Sequence, residues 1–159
     1  MAGQMTTVGI DRQIDQFIQL GQEIEGIAKE SLYKGAGVMA DTMTAEIGTI
    51  RTEPFHYAVN GAKRLASPQE KAALLRKVGI AKFQGGGGEV NTLVGITGSG
   101  YANVAGKKTP VIVIARSING GTDFMEKQPV FRRAANKGRP AAQAAIVETA
   151  EKRIEEITK

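Results

Sequence analysis

Between Gly9 and Ile47 the apolar residues return at three- and four-residue steps, through Ile10, Ile14, Phe17, Ile24, Ile27 or Ala28, Leu32, Met39, Met43 and Ile47. That is the spacing of one face of an α-helix. Asp11, Arg12, Asp15, Gln16, Gln19, Gln22, Glu23, Glu25 and Lys29 fill the opposite face. The predicted helix covers about 10–47. Gly21, Gly26, Gly35 and Gly37 fall inside it, and each costs about 1 kcal/mol relative to alanine in a helix interior. A helix carrying that cost must lean on neighbours. Gly35-Ala36-Gly37 is the expected kink, or the place where another backbone comes close.

The 159 residues suffice for one domain (1–159) with a real core and not for two. The chain has no cysteine and one histidine, His56, so disulfides, thiolate metal sites and cysteine catalysis are excluded. No apolar run approaches the ~20 residues that span a bilayer, and the first residues carry no secretory pattern. A soluble protein made in the cytoplasm is expected.

A turn-rich middle, 49–66, holds Pro54 and Asn60-Gly61 as turn signals. Phe55, His56, Tyr57 and Val59 suggest a short strand closed by Asn60-Gly61. His56, beside two aromatics, reads as a partly buried packing residue. Ser67-Pro68-Gln69-Glu70 is a helix start, with an N-cap serine, proline at the first position and a glutamate that completes a capping box. The short helix 68–78 is expected to bury Ala72, Leu75 and Val78 and to stop at Gly79.

Four glycines, Gly85–Gly88, lie in a predicted flexible loop at 84–89. A phosphate cradle needs a strand before it and a helix start after it. Here "EVNTLVGITGSG" follows, which reads as a strand. The segment "GYANVAGKKT" also fails as a phosphate loop, because Tyr101 stands where the first glycine belongs and Lys108 where Ser or Thr belongs. A β-hairpin over 90–117 is predicted, its strands at Val90–Thr97 and Thr109–Ser117; the second contains the β-branched run Val111–Ile114.

The C-terminal helices are predicted over 129–158 in two pieces. Pro129 begins a basic segment, Gly138-Arg139-Pro140 breaks or bends it, and Pro140 opens the second piece with an apolar stripe of Ile146, Ala150, Ile154 and Ile157. Glu148 with Lys152, and Lys152 with Glu156, have the spacing of helical ion pairs. The fold class is therefore α+β: a long N-terminal helix and a C-terminal helix packed on a small antiparallel β-sheet.

Charge is uneven along the chain. Residues 1–106 carry ten basic and ten acidic side chains; residues 107–159 carry eleven and six, the whole net +5. Such a block suits nucleic acid, an acidic protein surface, or simply a solvated helix face. Only Phe131 in the basic segment offers a ring for base stacking. Carboxylates such as Glu46, Glu53 and Glu89 have no spacing that marks an acid/base pair. No catalytic, cofactor-binding or metal-binding residue is predicted, and no enzyme activity.

The order of parts, with Gly121-Thr122 as a turn and Gln128, Pro129, Phe131, Arg132 and Ala134 opening the last helix, resembles the tail-completion, or head–tail joining, proteins of long-tailed bacteriophages. Asn119-Gly120 stands where that family has an acidic-aromatic pair, and Arg133 replaces a second proline. The resemblance implies a structural virion protein of the phage neck, formed in the host cytoplasm, that assembles as a homo-oligomeric ring, expected sixfold. Its partners would be the adjacent head-connector and tail-terminator or tail-tube proteins, with DNA passing through the lumen without specific binding and no membrane contact. Gly121, Thr122, Gln128, Pro129, Phe131, Arg132, Arg133, Lys137 and Arg139 are the candidate partner interface. A small basic nucleic-acid-binding protein is the alternative.

Overall fold

The computed structural model describes residues 8–85 and 89–159, with side chains from Gln13 onward. The Ile10 side chain and the glycines at 86–88 of the predicted flexible loop lie outside the described residues. The stem of that loop is held where Gln84 and Asn91 exchange two backbone hydrogen bonds of 2.9 Å.

The chain is α+β, as the sequence predicts. Helix α1 runs Val8–Gly48, 41 residues, a length of about 60 Å. Helix α2, Pro68–Leu75, is followed by strands β1 (Val78–Ile80), β2 (Val94–Ile96), β3 (Tyr101–Val104) and β4 (Lys107–Pro110), then α3 (Val111–Gly120) and α4 (Val130–Thr158). Two small antiparallel sheets form, β1 with β2 and β3 with β4. Val78 faces Ile96, and Tyr101 faces Pro110.

Helices α1 and α4 lie antiparallel along their length. Near one end the Gln16 side chain donates to the Thr158 carbonyl at 3.0 Å; near the other, Arg133 reaches Glu46 at 3.2 Å. Of the two readings of Gly35, close approach is what the structure shows. A Cβ there would stand 2.5 Å from Ile146 Cγ1 and 3.1 Å from the Ala142 carbonyl oxygen. Across the same seam, a Cβ on Gly138 would meet Met39 Sδ at 2.7 Å. The glycines are where the two helices touch.

The core gathers Met43, Ile47 and Ile50 from α1 and its exit, Leu74 from α2, Val104 from β3, Val111, Ile114 and Ile118 from α3, and Val130 and Ala134 from α4. Several sequence expectations change here. The predicted strand Thr109–Ser117 is helix α3 from Val111 onward. Its buried residues, Val111, Ile114, Ala115 and Ile118, have helical spacing, and burying them in one core outweighs the β preference of the Val-Ile run. Between the two predicted strands the chain holds a hairpin of its own, β3–β4. Its two-residue turn is Ala105-Gly106, with φ of 50° and 79°, the backbone that matches the twist of paired strands.

Strand β2 covers only Val94–Ile96 and pairs with β1, which takes the expected last residue of the short helix, Val78, and runs on through its expected stop at Gly79. Helix α2 stops at Leu75 and buries Glu70, Ala73 and Leu74; Leu75 is exposed and Ala72 half-buried. Asn60 and Gly61 make a tight turn with φ of 55° and 78°, but no strand flanks it. Helix α4 is continuous through Pro140. Proline removes one donor to the Asn136 carbonyl, and both residues are on the exposed side, where solvent is at hand to take its place.

Candidate interface surfaces

The segment that joins α3 to α4 is knitted to its own chain. Gly121 takes φ 74° at the end of α3 and donates its N–H to the Ser117 carbonyl at 2.9 Å. A side chain there would press on Lys127, its Cβ 2.9 Å from the lysine Cβ. Thr122 Oγ1 accepts the Phe124 and Met125 N–H groups at 3.1 and 2.9 Å. Gln128 is buried and behaves as a surrogate strand. Its amide accepts from the Arg51 N–H at 2.9 Å and donates to the Arg51 carbonyl at 3.1 Å. Pro129 precedes α4, and the next turn is capped from outside, because Phe131 N–H donates to Asn119 Oδ1 at 3.2 Å. The Phe131 ring packs on the core. Asn119 therefore satisfies a free donor at the start of α4.

The basic residues divide into two sets. Arg133 Nε and Lys137 Nζ both reach the buried Glu46 carboxylate, at 3.2 and 3.0 Å. The Lys137 hydrogen bond, assisted by Arg133, holds the Glu46 carboxyl below its usual range against the opposing effect of burial. Arg132 and Arg139 are exposed, seven residues apart on one face of α4, and make no ion pair with the described residues.

A second ionic centre, not foreseen from the sequence, lies under the turn-rich middle. Arg64 and Glu70 form a buried two-pronged pair, both contacts 2.7 Å. Glu70 Oε2 also accepts the Ser67 N–H at 2.7 Å, completing the predicted capping box. The Arg64 guanidinium lies 4.7 Å from the Phe55 ring centroid. Burial works to raise the Glu70 carboxyl, but the hydrogen bonds from Arg64 and Ser67 and the Arg64 charge outweigh it and hold it low. The one available signal was Arg64 lying six residues before a capping-box glutamate; nothing in that spacing marks a pair.

The first half of α1 and the second half of α4 form a two-helix arm. Among the described residues, every hydrogen bond or ion pair from side chains 13–31 ends on α1 itself or on α4. Arg153 is the clamp, 3.7 Å from Glu23, 3.1 Å from Glu30 and 2.8 Å from Glu156. The apolar stripe of α1 splits along its length. Met43 and Ile47 are buried in the body, whereas Ile14, Phe17, Ile18 and Ile24 in the arm are 49, 73, 54 and 63 % exposed.

His56 is exposed rather than partly buried, with Nδ1 3.2 Å from the Pro54 carbonyl. Glu53 accepts the Leu65 N–H, Glu46 is taken by α4, and Glu89 is exposed. Among the described residues no group of three or more His, Asp or Glu is placed to hold a metal ion, and no helix is long and apolar enough to cross a membrane. Comparison with protein-family models, curated proteins and solved structures finds no match.

Proposed function

We propose that this chain is a structural subunit of a bacteriophage neck, forming a ring in the virion that completes the tail and joins it to the head connector. The observation that carries this reading is the apolar stripe of α1, which the chain's own body covers at Met43 and Ile47 and leaves in water from Ile14 to Ile24. Exposed patches of that kind mark contacts with other proteins. The resemblance over Gly121–Ala134 supplies the kind of assembly. Those residues build the joint that sets α4 on the body, so in this reading they fix the arm's direction, while Arg132 and Arg139 are free to meet an acidic neighbouring ring.

The test is assembly. The purified chain is expected to form a closed oligomer by sedimentation and electron microscopy, and to bind a head-connector or tail-tube protein in co-purification. A chain that stays monomeric at high concentration and binds neither class sinks the proposal. DNA affinity that falls steeply with salt, with no assembly, would instead favour the nucleic-acid-binding alternative.

A further inference from the structure

The arm and the body carry opposite charge. Residues 13–30 and 141–159 hold four basic and eight acidic side chains, net −4, whereas residues 31–140 hold sixteen basic and seven acidic, net +9. The exposed stripe on the arm amounts to roughly 400 Å² of apolar surface, as large as the biggest patch on many monomers. On the body, an apolar groove of about 280 Å³ opens between Met43, Val94, Ile96, Ile112 and Phe131, with the exposed Arg116 on its rim. Arg116 makes no ion pair with the described residues.

The groove is not reachable by the chain's own stripe. Phe17 and Met43 sit on the same helix, about 39 Å apart along its axis. An apolar stripe on an acidic arm and an apolar groove on a basic body, too far apart to meet within one chain, are complementary between copies. We propose that the arm of one copy docks head-to-tail on the body of the next, with Phe17, flanked by Ile14 and Ile18, in the Met43–Phe131 groove. Such a contact uses two different surfaces, so it propagates from copy to copy and gives a ring when the rotation closes. It rests on the ring-subunit reading above and names the contact that would build the ring.

The absence of cysteine makes the contact directly testable by disulfide trapping. A Phe17→Cys chain and an Ile112→Cys chain, mixed and oxidised, are expected to cross-link to each other, while neither cross-links efficiently alone. Efficient cross-linking of Phe17→Cys to itself would mean arm-to-arm pairing and overturn the docking, though not the assembly. Phe17→Asp lies on an exposed position and is expected to keep the native circular dichroism and melting temperature while weakening self-association at least tenfold. If oligomers persist with unchanged affinity in Phe17→Asp, the docking is wrong and the ring reading survives. If the trapped contact forms but no head or tail protein binds, the docking stands and the neck reading falls.

Discussion

The body and the arm are built from the same two helices and are held by different physics. In the body, α1 also meets α2 and the β1–β2 sheet, while α3 and the hairpin β3–β4 pack on α2 and on each other, and Met43, Ile47, Val130 and Ala134 are buried in the shared core. In the arm the two helices have only each other. From residue 141 onward only Ala142 is buried, and between residues 13 and 31 only Ile27 and Ser31. The body is stabilised by apolar burial and by fully paired polar groups, in which any loss leaves a desolvated partner behind. The arm relies on helix propensity, exposed ion pairs and, in the proposal above, a neighbour. Substitutions should therefore cost much in the body and little in the arm of the isolated chain.

The largest effect belongs to the body's ionic centre. Arg64→Ala leaves the Glu70 carboxylate buried without its partner and should destabilise the fold by about 3–5 kcal/mol in denaturant unfolding. The same pair sets an acid limit. Glu70 has a lower carboxyl pKa folded than its ordinary 4.5, so its contribution is complete above about pH 4.5 and is lost as pH falls through the folded value. Glu70→Gln should be less stable at neutral pH and should lose less on acidification than the parent. Equal acid sensitivity of the two would show that other carboxylates set the limit.

Where the sequence could be read correctly follows the same division. The stripe of α1 was legible because 3.6-residue periodicity persists over ten turns, whatever covers it. The capping box at Ser67–Glu70 was legible because its chemistry is local. Helix α3 was not. Val111–Ile114 is an uninterrupted apolar run, and periodicity cannot tell a buried helix from a buried strand over so few residues. The buried set of Val111, Ile114, Ala115 and Ile118 contains the helical spacing only once Val113 is known to be exposed. Pro140 misled for a related reason. An interior proline breaks a helix most severely where the carbonyl it frees is shut away from solvent, and here Asn136 and Pro140 lie on the exposed side while Gly138, two residues earlier, is held against α1. The Arg64–Glu70 pair and the Gln128–Arg51 clasp were out of reach, since each depends on where the chain returns.

The seam between the regions gives the next effect. Gly35→Leu places a side chain against Ile146 and the Ala142 carbonyl and should destabilise by about 1–3 kcal/mol through overpacking. In the arm the sign reverses. Beyond the helix's own backbone, nothing lies within 4 Å of a Cβ built at Gly21 or Gly26, so Gly21→Ala and Gly26→Ala should each raise stability by up to about 1 kcal/mol through helix propensity alone. A stabilising Gly35→Leu, or a destabilising Gly26→Ala in the isolated chain, would break the distinction between seam and free face.

The smallest effect should come from the clamp that holds the arm together. Arg153 contacts Glu156, Glu30 and Glu23, and the Glu156 hydrogen bond with the neighbouring carboxylates raises its pKa further above the ordinary arginine range. It stays charged across the working range, and no pH step is expected from it. Three contacts suggest a strong clamp, but the Arg153 side chain is 37 % exposed and its glutamate partners more so, and ion pairs that water reaches gain little while salt screens what they gain. Arg153→Ala should therefore change the unfolding midpoint of the dilute chain only marginally, and the difference should vanish in high salt. Hydrogen exchange is the more discriminating measurement, because local opening of the arm need not unfold the body. Arm amides should exchange faster than those of α3 in the parent and faster still in Arg153→Ala, with α3 unchanged. If α3 protection fell together with that of the arm, the two regions would be one cooperative unit and the division between them would be wrong.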